Sequence, residues 1–401
     1  MAKRFSTTGY VEVMSDYIPY GRQDISQEDI DAVIQVLRSD WITQGPAIER
    51  FEQAIANYCG AKYAVAVSSA TSALHIACLA AGLGEGDVLW TSPNTFVASA
   101  NCGLYCNAKV DFIDIDSNTY NLSVDELESK LVEAKKQGCL PRVLIPVHFA
   151  GQSCEMEEIA ALSQQYNFKI IEDASHAIGG RYQGQPVGCC QFSDMTVFSF
   201  HPVKIITTAE GGMVLTNQEE LYQKLIRLRS HGITRNLDLM QGESHGSWYY
   251  QQLELGFNYR MTDIQAALGS SQMKRLNEFV EHRRFLANRY NKLLQDLPLM
   301  LPWQHSDCES SWHLYVIRLK LDKINKTHQQ IFEQLRSLGI GVNLHYIPVH
   351  IQPYYQQFGF KLGDFPGVEK YYKEAITIPL YYGLNEENQD KVVASLRESL
   401  I

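Results

Sequence analysis

Two hydrophobic periods take turns along the first two-thirds of the chain. Short apolar runs at 63–67, 87–90, 110–115, 143–147, 168–173, 195–200 and 213–216 are bounded by Gly, Pro or hydroxyl residues and predict buried strands. Between them, apolar residues recur at helical spacing. Ile30, Val33, Ile34 and Leu37 follow Ser26-Gln27-Glu28-Asp29, which has the form of a capping box. Ile48, Phe51, Ile55 and Tyr58 form a second set, and the spans 73–83 and 124–134 predict two further helices. Such alternation predicts an α/β fold, with a layered sheet between helices.

Past residue 260 the pattern changes. Thr262-Asp263-Ile264-Gln265 is a Thr-x-x-Gln capping box, and the amphipathic pattern behind it predicts one long helix reaching about Leu297, where Pro298 ends it. Strands near 313–319 and 341–345 and helices near 329–338 and 387–396 predict a smaller α+β unit. The expected division is an N-terminal arm at 1–24, a large unit at 25–270 and a small C-terminal unit at 271–401.

Four stretches carry candidate chemistry. Ser199-Phe200-His201-Pro202-Val203-Lys204-Ile205-Ile206-Thr207-Thr208-Ala209-Glu210-Gly211-Gly212 places a lone lysine just after a buried strand, among apolar and hydroxyl residues. There a lysine loses its proton readily and can act as an imine-forming amine or a base. Ser68-Ser69-Ala70-Thr71-Ser72 joins a strand to a helix, a position equally suited to N-capping and to binding a phosphate at the positive end of the helix dipole. Phe96, expected at the start of a helix, is either a stacking aromatic or ordinary core. Glu172 and Asp173 end an apolar strand and run into Ala174-Ser175-His176; acids there are ligand-facing or cap a helix.

Composition narrows the classes. A net charge of −10 opposes broad nucleic-acid or anionic-membrane binding, which needs a basic footprint. The absence of a signal-peptide pattern and of a membrane-length apolar run predicts a cytoplasmic protein. The nine cysteines form no CxxC pair, which fits reduced thiols; Cys102 and Cys106 share a helical spacing, but nothing completes a metal site.

A phosphate-binding helix start, a stacking aromatic, a carboxylate and a lysine are what pyridoxal phosphate requires. In this combination the chain resembles the DegT/DnrJ/EryC1/StrS family of nucleotide-sugar aminotransferases, of fold type I. The matching stretches are Trp41-Ile42-Thr43-Gln44-Gly45-Pro46, Ser69-Ala70-Thr71-Ser72-Ala73-Leu74, Thr95-Phe96-Val97-Ala98, Glu172-Asp173-Ala174-Ser175-His176-Ala177, the lysine stretch, Arg229-Ser230-His231-Gly232-Ile233, Gly256-Phe257-Asn258-Tyr259-Arg260 and His345-Tyr346-Ile347-Pro348-Val349. The resemblance implies a mixed, mostly parallel sheet, with Lys204 as the imine-forming lysine and Asp173 as partner of the pyridine nitrogen. It further implies Phe96 on the ring, His176 near the phenolic oxygen, and Ala70, Thr71 and Ser199 at the phosphate. Asn258 would reach the phosphate from the second subunit of a homodimer. Ala70 and Ala209 stand where many members carry glycine.

Within the family, the stretches 96–101 and 201–212 are most similar to the branch that aminates C4 of a UDP-linked 2-acetamido-2,6-dideoxy-4-ketohexose for pseudaminic acid. Glutamate is the expected donor, and Arg235, His345 and Tyr346 are candidate substrate contacts. A sugar dehydratase of the family carries histidine in place of the imine lysine, and a non-catalytic regulator would be expected to lose that lysine or add a DNA-binding segment. This chain has lysine at 204.

Overall fold

The computed structural model describes residues 17–401, so the expected arm lies outside the described residues over 1–16. Seven strands build the large sheet: β1 (Tyr63–Val67), β2 (Val88–Thr91), β3 (Lys109–Phe112), β4 (Val143–Ile145), β5 (Lys169–Asp173), β6 (Met195–Ser199) and β7 (Gly212–Thr216). Their order is β1-β7-β6-β5-β4-β2-β3, and only β7 runs against its neighbours. The fold is therefore the expected α/β architecture of fold type I, with a mixed, mostly parallel sheet.

Both faces of this sheet are covered, which is why its strands read as continuous apolar runs. In β1, Ala64 and Ala66 enter a core with Phe51 and Ile55 of helix α2 (Pro46–Cys59). Val65 and Val67 enter the opposite core, with Leu74 and Ala77 of helix α3 (Ala70–Ala80). Each fully buried Val, Leu, Ile or Phe side chain among these stabilises the fold by roughly 1.5–3 kcal/mol.

The small unit has its own sheet, in which Tyr315–Leu319 lies between Leu299–Met300 and Ala375–Ile378. Two expectations for this half need correction. The long helix divides into Asp263–Met273 and Leu276–Leu293 at Lys274-Arg275, where Arg275 turns its guanidinium to Asp24 at 2.6 Å and Asp29 at 2.9 Å. Residues 341–345 form no strand. Their backbone groups divide between two neighbours: Gly341 N–H donates to the Ile18 carbonyl, while Asn343 makes an isolated bridge to Thr377. The end of the arm is thereby pinned, with Ile18 inside the small unit's core. Among the described residues no helix is long and apolar enough to cross a membrane.

One contact sets how tightly the carboxyl edge of the sheet can be assembled. Gly212 pairs with Val67 on one side and Ser199 on the other, and a Cβ there would stand 2.6 Å from Ala70 N and from Ser69 C and O. All three are backbone atoms, so none can swing away. Gly212→Ala is therefore expected to lower the unfolding free energy by about 1–3 kcal/mol, the usual result of forcing a methyl into a packed site. Chemical denaturation of the variant beside the parent checks this, and an unchanged midpoint refutes it.

Candidate active site

The chain segments leaving this edge of the large sheet converge on a cavity of about 530 Å³. Ser69, Ala70 and Thr71 enter from the β1–α3 turn, Thr95, Phe96 and Ser99 from the segment after β2, and Asp173 and His176 from the end of β5. Ser199 ends β6 and Lys204 follows it, while the small unit adds His313, Asn343, His345 and Tyr346. A second cavity, about 570 Å³, lies between the arm and the C-terminal helix; its wall includes Arg22, Asp24 and Lys391 but none of the residues just named.

The two acids at the end of β5 go separate ways because side chains alternate along a strand. Asp173 faces the cavity, where its carboxylate accepts from Ser99 Oγ at 2.6 Å and from Ser175 N–H at 3.1 Å. Glu172 faces the other side. It meets His148 Nε2 at 2.6 Å and accepts from Thr196 at 2.9 Å and from Ser193. Burial pushes the Glu172 carboxyl up, but these partners outweigh it and hold the group below its ordinary range.

At the start of α3 both sequence readings meet in one structure. Ser69 and Ser72 form a reciprocal capping box, so capping is real. The hydroxyls of that box leave the first-turn N–H groups of Ala70 and Thr71 without acceptors among the described residues, and both residues line the cavity. Phe96 lies just ahead of helix α4 (Ala98–Tyr105) instead of inside it, and 59% of its surface is exposed at the cavity wall. It is therefore not ordinary core.

Lys204 follows a turn closed by its own N–H to the His201 carbonyl at 2.9 Å. It is half-buried and lines the cavity. Burial pulls its ammonium down to about 8, with the Asp173 carboxylate opposing the shift. Around it stand three histidines, His176, His313 and His345, each held neutral by burial, with the Lys204 charge acting in the same direction; His345 is pulled down to about 3. The Ala150 N–H donates to His176 Nδ1 at 3.3 Å, which places the ring proton on Nε2. That proton points to Tyr346 Oη, 3.0 Å away, and leaves the phenol its own proton to donate.

Of the residues predicted from sequence, the cavity brings together Ala70, Thr71, Phe96, Asp173, His176, Ser199, Lys204, His345 and Tyr346. It does not gather Arg235 and Asn258, both of which stand exposed outside it. Sequence reasoning assigned no role to Tyr20, Ser99, His313 or Asn343. Ser99 lies inside a matched stretch, which was a usable signal; the other three carry none that is local. A flat pyridine aldehyde with a phosphate fits this set: free N–H donors at a helix start, an uncovered aromatic face, a buried carboxylate and a neutralisable amine line one cavity.

A model of the DegT/DnrJ/EryC1/StrS aminotransferase family matches residues 23–397. The chain is 39% identical, over 97% of its length and 98% of the relative's, to the spore coat polysaccharide biosynthesis protein SpsC of Bacillus subtilis. It is also 39% identical, over 92% of its length and 93% of the relative's, to the UDP-4-amino-4,6-dideoxy-N-acetyl-beta-L-altrosamine transaminase of Campylobacter jejuni. Among solved structures it is similar to Helicobacter pylori PseC, an aminotransferase of pseudaminic acid biosynthesis, with a TM-score of 0.86 and 31% identity over 96% of this chain and 99% of that one.

The depressed Lys204 ammonium has a measurable consequence. In the cofactor-free protein, reductive labelling of Lys204 by pyridoxal phosphate and borohydride, located by peptide mapping, is expected to rise through a pH of about 8. An ordinary lysine follows a midpoint of about 10.4. Asp173→Asn removes the interaction that raises the midpoint, so the curve should move to lower pH. A midpoint near 10, or a move to higher pH in the variant, contradicts this account of the amine.

Proposed function

The chain belongs to the DegT/DnrJ/EryC1/StrS aminotransferase family, and on that premise we propose that it aminates C4 of a UDP-linked 2-acetamido-2,6-dideoxy-4-ketohexose. The product feeds pseudaminic acid and surface-glycan synthesis, and glutamate is the donor. One observation carries the sugar: the likeness to the Campylobacter transaminase, whose name specifies a 4-amino-4,6-dideoxy sugar with an N-acetyl group, spans nearly the whole chain. The enzyme is a pyridoxal-phosphate-dependent transaminase.

When bound, pyridoxal phosphate supplies an aldehyde that exchanges oxygen for the donor's nitrogen and a ring that delocalises the electron pair left by proton loss. In our reading the chain does the rest. Ala70 and Thr71, through their free N–H groups, and Ser199 hold the phosphate at the dipole end of α3. Phe96 covers one ring face. The Asp173 carboxylate would accept from the protonated ring nitrogen, and His176, whose Nε2 meets Tyr346 Oη, would stand near the ring's phenolic oxygen. Lys204 would tether the aldehyde in the resting enzyme. Released by the donor, its neutral amine takes the proton from the donor's α-carbon, and in the second half-reaction it returns a proton at the sugar's C4. Release of the keto acid between the halves makes the kinetics ping-pong.

Recognition of the sugar is assigned to His345 and Tyr346, and Arg235 serves the pyrophosphate. The exposure of Arg235 and Asn258 outside their own chain's cavity supports a homodimer in which Asn258 completes the partner's phosphate site. The same reading treats 1–24 as an arm, 25–270 as the cofactor unit and 271–401 as the small unit. It places the enzyme in the cytoplasm.

The substrate assignment is tested by kcat/KM over UDP- and dTDP-linked 4-keto sugars. The UDP-linked acetamido sugar is expected to lead, whereas a tenfold preference for a dTDP sugar lacking the acetamido group would overturn the sugar and spare the transaminase. Lys204→Ala is expected to lower kcat by about 10³-fold or more, since it removes the proton shuttle. Asn258→Ala should weaken cofactor binding, and sedimentation should find only dimer at assay concentration; an active monomer excludes the shared site.

A further inference from the structure

Behind Asp173, in the cavity wall, a buried hydrogen-bond chain brings in Thr95 and Ser99, which have no part in the roles above. Ser99 has no exposed surface, and its Oγ lies 2.6 Å from Asp173 Oδ2 and 2.8 Å from Thr95 Oγ1. The directions follow from proton counting. An ionised carboxylate only accepts, so Ser99 gives its single hydroxyl proton to Asp173. Thr95 must then donate to Ser99. The other acceptor near Ser99 Oγ, the Phe96 carbonyl, is farther, at 3.4 Å.

Capping does not explain this chain. Helix α4 begins at Ala98, its N-cap residue Val97 makes no side-chain cap, and the Ser99 hydroxyl accepts from no backbone N–H. Nor is it simple neutralisation of a stray polar group, since Ser99 and Thr95 both lie on the wall of the cavity beside Asp173. With Ser175 N–H at 3.1 Å on Oδ1, Asp173 already holds two donors from its own chain.

Those donors matter because of a competition around the buried carboxylate of Asp173. A protonated ring nitrogen beside a carboxylate is an ion pair, and the rival arrangement moves the proton across to give a neutral ring beside a carboxylic acid. Away from water the neutral pair gains ground, because each charge has lost its hydration. A donor aimed at the carboxylate stabilises only the ionic arrangement. We propose that Thr95 and Ser99 form a positioning relay that keeps Asp173 ionised and aimed, and thereby keeps the ring nitrogen of bound pyridoxal phosphate protonated. The turn that carries Phe96 to the ring face would so carry, on either side of it, the control of the ring's electron demand. This rests on the cofactor assignment and not on the sugar.

The test measures binding, not turnover. Cofactor-free parent, Ser99→Ala, Ser99→Thr and Thr95→Val are titrated with pyridoxal phosphate and with its 1-deaza analogue, in which a C–H replaces the ring nitrogen, and tryptophan fluorescence reports the dissociation constants. The parent is expected to prefer the nitrogen-bearing compound. Ser99→Ala should lose about tenfold in affinity for it, the effect of one hydrogen bond to a charged group, while its affinity for the analogue stays within about twofold. Thr95→Val should move the same way by less, and Ser99→Thr should keep the preference. Equal losses for both compounds would mean that the hydroxyls only support the local fold, and unchanged preference in Ser99→Ala would mean that they do nothing for Asp173; either result overturns the relay. If Ser99→Ala does not fold, as judged by near-ultraviolet circular dichroism, Thr95→Val decides alone. A parent that binds neither compound removes the cofactor reading itself, which is a different failure.

Discussion

A backbone-to-backbone approach at Gly212 governs the geometry of the whole cavity. β7 is the one antiparallel strand of the large sheet, and it lies between β1, which feeds the free N–H groups of α3, and β6, which feeds Lys204. These two segments are far apart in sequence. They meet in the same cavity because Gly212 has no side chain to hold Ser69 and Ala70 away. The order matters physically, because a phosphate anchor and a tethering amine work on one small molecule only if the distance between them is set by rigid elements. Strand pairing on both sides of Gly212 sets it.

Within that space the charges are few and their placement is selective. Lys204, Asp173 and Glu210 are the charged residues of the wall, and among the described residues it contains no arginine. Burial favours the neutral lysine, and the Asp173 carboxylate tempers the shift, which leaves the amine near half protonation in mildly alkaline solution. The histidines contribute hydrogen-bond directions instead of charge. A backbone N–H at His176 Nδ1 determines where the imidazole proton sits, and so determines which way the Tyr346 hydroxyl can donate. Glu172, one residue from Asp173, is turned to the opposite face, where His148 and Thr196 satisfy it. The strand's alternation thus supplies one carboxylate to the site and one to the scaffold.

How much of this can be read from the chain depends on how local each signal is. Strand runs and helix caps are local: Thr262 and Ser26 cap where their spacing predicts, while the helix expected from residue 73 starts three residues earlier, at Ala70, behind Ser69. The lysine stretch is local too, since a strand, a lysine and a Gly-Gly pair lie within the eighteen residues 195–212. Ser99 escaped because its partner is 74 positions away, and a serine in the first turn of a helix is ordinary. The break at Lys274-Arg275 was hidden for a similar reason: helical periodicity continues through it, and the Asp24 and Asp29 carboxylates that hold Arg275 belong to the start of the chain. At 341–345 the β-like pattern is sound, but the segment's backbone is drawn to the arm and to Thr377 instead of to a full ladder.

Contacts of 2.6–3.0 Å between residues of the two units require their cores to be held in register, and one helix does this. Leu276, Phe279 and Val280 of Leu276–Leu293 enter the core beneath the large sheet, while Leu286, Ala287 and Tyr290 enter that of the small unit. Arg283 lies between these two sets. It is buried, no described residue offers it a carboxylate, and burial pulls its guanidinium down to about 10. Its Nη1 instead donates to the carbonyls of Trp312, His313 and Leu380, at 3.2, 3.2 and 2.9 Å. A buried cation held only by carbonyl dipoles is costly, and it persists where the surrounding structure requires it. Here it fixes the backbone that presents His313, whose ring centroid stands 4.5 Å from that of His176. The position of the small unit's side chains against Asp173 and Lys204 therefore rests on packing behind the cavity as much as on the hydrogen bonds within it.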